Sequence, residues 1–319
     1  MKRGSSGINA LIAIDKPLGM TSHDVVSCVR RAYGEKRVGH AGTLDPNASG
    51  VLVVGIGQAT KLLGFLALDR KSYVADIVFG TRTSTDDADG EVIAAAPVPC
   101  ELYDRSFARS TCKSLIGVQN QVPPAVSAIS IKGKRAYQLV REGKIPELAE
   151  RTIEIYSAEL LDVQDYSLKN ASALSINSVI WTVSFDVSKG TYIRSIARDL
   201  GHMLGTEAHI GALRRTHAGP VSEKDCISLD ALQDRPLDAL CTHVLNPIQV
   251  LGYPSYNLTT DEFAKVEVGQ RFKTPRQMLE LSDDSSVCLV RNNKLYGVWK
   301  KQDSYLVCQT NFLMGISCA

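Results

Sequence analysis

The sequence predicts an α+β fold: a mixed, largely antiparallel sheet flanked by helices, followed by a small β domain. Three observations carry that expectation. The apolar run from Ile8 to Ile14 stops on the turn-forming residues Asp15-Lys16-Pro17-Leu18-Gly19. Two long strand-like stretches at 153–163 and 176–187 enclose a turn-prone Ser/Asn segment, which suits a hairpin. Helical spacing of apolar residues appears only in short, separated segments with their own start and stop signals.

After the first turn the chain reads as a helix, with Ser22 as its cap and Val25, Val26, Cys28, Val29 and Ala32 on one side. Val51 to Val54 reads as a buried strand, Ala59 to Leu66 as a helix and Tyr73 to Phe79 as another strand. A polar, acidic loop follows at 81–90. Beyond the hairpin, Thr191 caps a helix in which Ile193, Ile196, Ala197, Leu200 and Leu204 recur before Gly205 stops it. On that wheel Arg194 borders the apolar face, where an arginine can reach into a half-buried cleft. From Asn246-Pro247 onward the pattern changes to a short helix at Thr260 to Val266 and β runs at Val287–Val290, Leu295–Trp299 and Tyr305–Cys308. The expected boundary gives domains 1–247 and 248–319, the second near the size limit of a free-standing core and so packed against the first.

Composition narrows the function classes. The 319 residues are 44% hydrophobic and 22% charged, as in an ordinary soluble globular protein, and no run approaches the roughly 18 apolar residues of a membrane span. The N-terminus lacks the apolar core of a secretory signal, so a cytoplasmic protein without membrane partners is expected. Eight scattered cysteines, with no Cys-x-x-Cys pair and no zinc-like clustering with histidine, predict reduced thiols and no metal site. A net charge of +2 is too small to announce a nucleic-acid binder. Its distribution says more, since Lys132, Lys134, Arg135, Arg141 and Lys144 crowd one stretch against Glu142 alone. Taken by itself such a run is a solvated face.

The densest segment is Gly39-His40-Ala41-Gly42-Thr43-Leu44-Asp45-Pro46, closing at Ser49-Gly50-Val51-Leu52. Glycines on both sides of a single aspartate, with a proline after it, describe a tight loop that presents one carboxylate just before a buried strand. Such a loop suits catalysis, and equally an Asx-type turn in which Asp45 bonds its own backbone.

The run Gly39 to Leu52 resembles the catalytic loop of the TruB-type tRNA pseudouridine synthases, and further pieces of that pattern follow in order. Ile14-Asp15-Lys16-Pro17 with Gly19-Met20-Thr21-Ser22 is similar to the family's N-terminal motif. Tyr73 stands where the family keeps its active-site tyrosine, and Asp86-Asp87-Ala88-Asp89-Gly90 resembles its acidic loop. Lys189-Gly190-Thr191-Tyr192-Ile193-Arg194 is similar to the segment supplying its catalytic arginine, and His209 to Arg215, with Leu213, resembles its Leu-Arg-Arg run. Two departures stand out: Val126 precedes Ser127 where an aromatic is usual, and Asn47 and Ser49 replace leucine and threonine.

The resemblance implies the pseudouridine synthase fold with a small C-terminal PUA-like β barrel. It implies isomerisation of the T-loop uridine of tRNA by base flipping, with Asp45, Tyr73 and Arg194 as catalytic residues. His40, Lys16, Lys61, Asp87, Tyr192 and Leu213 would surround or bind the substrate. The reaction breaks the N-glycosidic bond, turns the uracil and rejoins it through carbon 5, so no cofactor and no metal is implied. Asp45 could attack the sugar, add to the ring or take a proton, a choice the sequence leaves open. It must be ionised, and a guanidinium beside it, Arg194 by expectation, favours the charged form. The partner implied is tRNA, through its T arm and its acceptor end, with the protein a monomer needing no guide RNA or protein partner. A guide-RNA-dependent synthase of the dyskerin kind and a non-catalytic RNA-binding protein on the same scaffold are the competing readings.

Overall fold

The computed structural model describes residues 6–66, 70–127, 129–131, 133–144, 146–168, 176–234 and 236–318. The expected Ser/Asn turn and Lys132 lie outside them. The chain divides into two compact units, residues 1–46, 50–68 and 218–319 in one and 47–49 with 69–217 in the other. Residues 248–319 thus group with the N-terminal segments.

In the first unit the strand Ala10–Lys16 is central. It pairs antiparallel with Ala48–Ile56, from Ala10 opposite Ile56 to Lys16 opposite Gly50, antiparallel with Val244–Leu245, and parallel with Cys226–Ser228. Val38–Ala41 pairs antiparallel with the far half of Ala48–Ile56. Alternation along a strand sends successive side chains to opposite faces. Leu11, Ala13, Val51 and Val53 therefore enter one core cluster, and Ile12, Ile14, Leu52 and Val54 another. Burial on both faces explains why these strands read as continuous apolar runs.

The second of those clusters is roofed by the helix Ser22–Tyr33 through Val25, Val26, Val29 and Tyr33. Its cap is Thr21, not Ser22. Thr21 has an extended backbone, its hydroxyl accepts from Asp24 N, and the Asp24 carboxylate accepts from Thr21 N in return, a reciprocal capping box. Ser22 is left one residue inside the helix with its hydroxyl free for another use.

The first cluster continues into Cys288, Val290, Leu295, Val298, Phe312 and Ile316 of a five-stranded sheet. Its order is Ser255–Asn257, Ser286–Arg291, Lys294–Gln302, Tyr305–Ser317, Phe272–Lys273. In place of the expected closed barrel this is, among the described residues, a curled half-barrel sheet in which the outer strands Ser255–Asn257 and Phe272–Lys273 are not paired with each other. The expected helix Ala59 to Leu66 is a 3-10 segment Gly57–Leu62 followed by one α-turn, Leu63–Leu66, and Thr60 Oγ1 bonds back to the Gly57 carbonyl at 2.8 Å. Burial pushes the Cys288 thiol up to about 12 and Cys318 to about 11, as inert core groups.

The second unit is built on an ordered run of strands: Ala208–Ala218, Lys71–Phe79, Ile176–Val187, Arg151–Leu168 and Gly117–Gln121. The hairpin's second strand spans the expected residues, and the first is longer than expected. Trp181 anchors this core, edge-on to Phe79 at 4.7 Å and bonded through Nε1 to the Leu102 carbonyl at 2.8 Å. The helix Ile193–Met203 buries Ile193, Ile196, Ala197 and Leu200 as the spacing predicts, but it is Tyr192 that occupies the cap position, without a side-chain bond, and not Thr191.

One tight approach in the first unit is measurable. Gly57 has φ +61°, and a Cβ there would stand 2.2 Å from the Ile8 carbonyl oxygen and 2.5 Å from Asn9 Oδ1. Left-handed backbone and a backbone clash together should make Gly57→Ala destabilising by at least about 2 kcal/mol, read as a lowered urea midpoint at unchanged m-value.

Candidate active site

Asp45 is partly buried in a loop whose backbone is fixed on both sides. On the preceding residue, the Ser22 hydroxyl accepts from Leu44 N at 2.9 Å and donates to the Leu44 carbonyl at 3.0 Å, while the Leu44 side chain is buried. On the following residue, the Pro46 carbonyl accepts from Gly19 N at 3.0 Å and from Lys16 Nζ at 3.2 Å. Gly42, at φ +77°, makes the turn that brings the chain into this clamp.

Lys16 is therefore placed differently from an RNA-facing lysine. It is 0% exposed, and its ammonium also donates to the carbonyls of Met20 at 2.6 Å and Pro17 at 2.9 Å. A buried ammonium needs such acceptors, and these three tie the N-terminal turn to the aspartate loop. Lys61 is exposed, yet its Nζ donates to the Asn311 carbonyl at 2.6 Å and lies 5.9 Å from the centre of the Phe312 ring. His40 lies on the short strand Val38–Ala41, opposite Val54.

In the second unit, Arg194 is buried on the first turn of its helix. Its guanidinium donates to the Thr85 carbonyl at 2.8 Å and the Val126 carbonyl at 3.1 Å and meets the Asp87 carboxylate at 3.3 Å. Asp87 is in turn oriented by the Thr85 hydroxyl at 2.6 Å and by Asp89 N at 3.1 Å. One turn further along the helix, Arg198 pairs with Asp86 at 3.2 Å and donates to the Val122 carbonyl at 2.8 Å. Asp86 adopts φ +59°, and its carbonyl accepts from Ile210 N at 3.1 Å, so the acidic loop is pinned to the strand Ala208–Ala218 as well. Two arginines a helical turn apart thus hold two successive aspartates.

Tyr73 is buried on the strand Lys71–Phe79, opposite Phe185. Tyr192 is fixed through its backbone: the Gln121 side-chain amide accepts from Tyr192 N at 2.9 Å and donates to its carbonyl at 3.1 Å. Leu213 is half-buried on the strand Ala208–Ala218, next to Arg214, whose Nη1 donates to Ser49 Oγ at 3.3 Å. Neither Gln121 nor Arg198 stands out in the sequence as a site residue, and Ser22 stands out there as a helix cap at the end of the N-terminal motif, with no bond to Leu44 expected. Their polar type in otherwise packed segments was the available signal, and it names no partner.

Residues 30–193 match the family described as TruB family pseudouridylate synthase (N terminal domain), and residues 194–250 match the tRNA pseudouridylate synthase B C-terminal domain. This chain belongs to the TruB family. The family's tRNA pseudouridine synthase B of Mycobacterium ulcerans is 44% identical over 260 residues, covering 82% of each chain. That of Corynebacterium diphtheriae is 41% identical over 269 residues, covering 84% of this chain and 85% of the relative. In fold, the chain is similar to one in the structure of an H/ACA RNP bound to a substrate RNA containing 2'-deoxyuridine, with a TM-score of 0.67, 21% identity, and 96% of this chain and 86% of that one covered. Membership makes the protein an isomerase acting on tRNA. No group of residues able to hold a metal ion occurs among the described residues, and no helix among them is long and apolar enough to cross a membrane.

The acidic loop also has a titrating neighbour. His209 is buried, and its Nδ1 donates to the Thr81 carbonyl at 2.8 Å. Burial pushes its pKa below the usual 6.5, against the opposing pull of that carbonyl and of Asp87 and Asp86. Above about pH 6.5 the imidazole is then neutral in the folded protein, while the unfolded chain takes up a proton near its ordinary pKa. Stability from this group is present above about pH 6.5 and is lost as pH falls through that value towards the folded pKa. Urea midpoints compared between about pH 7.5 and about pH 5.5 should drop for the wild type, and the drop should be smaller in His209→Gln.

Proposed function

We propose that this chain is a stand-alone tRNA pseudouridine synthase that converts a T-loop uridine by flipping the base and using Asp45 as the catalytic carboxylate. The observation that supports it most is the two-sided clamp on the Asp45 loop, which holds the backbone on either side of a single carboxylate. Preorganisation of that kind contributes to rate because no geometry has to be found at the moment of reaction.

In the proposed cycle the target nucleotide leaves its stack, at a cost of a few kcal/mol. The N1–C1′ bond breaks, the uracil turns, and C5 bonds to C1′. The proton originally on C5 is released and N1 ends with a proton, so atoms and charge balance without an oxidant, a metal or a second substrate. Asp45 serves as nucleophile or base, with Arg194 as the guanidinium that keeps it ionised. Tyr73 stacks on the uracil and accepts or relays the C5 proton. Asp87 holds Arg194, while His40, Tyr192 and Leu213 border the flipped base. Lys16 contributes through the loop, and Lys61 through the sheet formed by residues 255–317.

We assign residues 248–319 the part of a PUA-like module for the acceptor end of the tRNA. Basic and aromatic side chains recur on it: Arg271 lies 4.8 Å from the Tyr305 ring centre and Arg291 4.5 Å from that of Phe263. Such cation–π pairs present charge for phosphates without reading sequence. The protein acts as a monomer without guide RNA, in the cytoplasm.

Tritium release from an unmodified tRNA transcript labelled at uracil C5 tests the whole reading. Wild type should release about one label per tRNA and Asp45→Asn none, with both binding the transcript alike, since only the chemistry is removed. A wild-type protein that binds but releases nothing contradicts it.

A further inference from the structure

We infer that Ser22 is the positioning residue of the catalytic carboxylate: its hydroxyl, by closing two hydrogen bonds on the backbone of Leu44, sets the direction in which Asp45 points. The inference rests on Asp45 being the catalytic group.

Four observations carry it. The bonds run in opposite senses on one residue, Leu44 N to Ser22 Oγ at 2.9 Å and Ser22 Oγ to the Leu44 carbonyl at 3.0 Å. A single hydroxyl thereby satisfies both backbone polar groups of the residue that leads into Asp45, as a neighbouring strand would. Second, Ser22 is 2% exposed, so water cannot substitute for it without a rearrangement. Third, helix initiation does not need this hydroxyl, because Thr21 and Asp24 complete the capping box by themselves. A serine one residue inside a capped helix is otherwise an indifferent choice, and at this position it reaches 22 residues along the chain. Fourth, the Leu44 side chain is buried and the Pro46 carbonyl is held separately by Gly19 and Lys16. Loss of Ser22 frees the backbone on one side of Asp45 only, which tilts the carboxylate and leaves the loop attached.

The neighbouring Thr21 provides the control. Removing it weakens the same helix turn without touching Leu44, so it reports what a structural defect at this place does to the enzyme.

The experiment uses the full-length chain and an unmodified tRNA transcript, with single-turnover rate, tRNA affinity and thermal midpoint measured for each variant. Ser22→Ala should slow the chemical step between about ten- and a hundred-fold, the scale produced by a displacement of order 1 Å, with affinity unchanged within about two-fold. Thr21→Ala should lower the midpoint and leave the rate within about two-fold of wild type. Ser22→Cys keeps the volume but hydrogen-bonds weakly, and it decides the matter if the alanine variant does not fold: a slowed step at near wild-type midpoint supports the inference. Either Ser22 variant turning over at the wild-type rate, or Thr21→Ala slowing the step equally, overturns it. Asp45→Asn in the same series separates the two levels: turnover by that variant defeats the assignment of Asp45 itself, whereas a dead Asp45→Asn beside a fully active Ser22→Ala defeats only the role of Ser22.

Discussion

Everything distinctive about the first unit depends on a buried ammonium and a buried hydroxyl holding the peptide groups on either side of one aspartate. Lys16 is fully enclosed, with three carbonyl acceptors, and such a group is tolerated only because those acceptors replace water. Its position follows from the strand Ala10–Lys16, which is buried on both faces and ends opposite Gly50. The same strand that builds the core thus delivers the cation beneath the loop. Packing and loop geometry are linked at this residue: the apolar alternation that fixes the strand's register also fixes where Nζ arrives.

The second unit solves a related problem with charge pairs. Arg194 and Arg198 lie a turn apart on one helix and meet Asp87 and Asp86, while the carbonyls of Val122, Val126 and Thr85 accept from their guanidinium groups as well. Buried ion pairs contribute little net stability, because desolvation offsets their attraction. Here they specify geometry, fixing the acidic loop, the helix and the 121–126 segment as one cluster. Gln121 adds a neutral version of the same device at Tyr192.

Much of this was legible in the residues. The strands through Ile12, Leu52 and Trp181 and the helix through Ile196 and Leu200 follow from apolar spacing, because burial alone decides them. The Asp45 loop was legible from its glycines and proline, and its meaning came from resemblance across several motifs in order. Long-range polar contacts were not legible. Nothing local tells that Ser22 serves Leu44 in place of its own helix, that Lys16 faces inward, or that Gln121 holds Tyr192, since a hydrogen bond's partner is fixed by tertiary structure and leaves no periodic trace. The caps shifted by one residue for a similar reason: Thr21 and Ser22 are both good caps by type, and the reciprocal bond with Asp24 selects between them. The C-terminal β runs are legible in the sequence, but which strands pair is not, since pairing joins segments far apart in the chain.

Bonds on both sides of Asp45 hold the aspartate loop before RNA binds, and amide hydrogen exchange at Leu44 tests that most directly. The Leu44 N–H, bonded to Ser22 Oγ, should exchange slowly in the free enzyme, and adding tRNA should barely change its protection. Rapid exchange in the free enzyme, becoming slow only in the complex, would show that RNA binding organises the loop and would contradict the claim that the fold does so in advance.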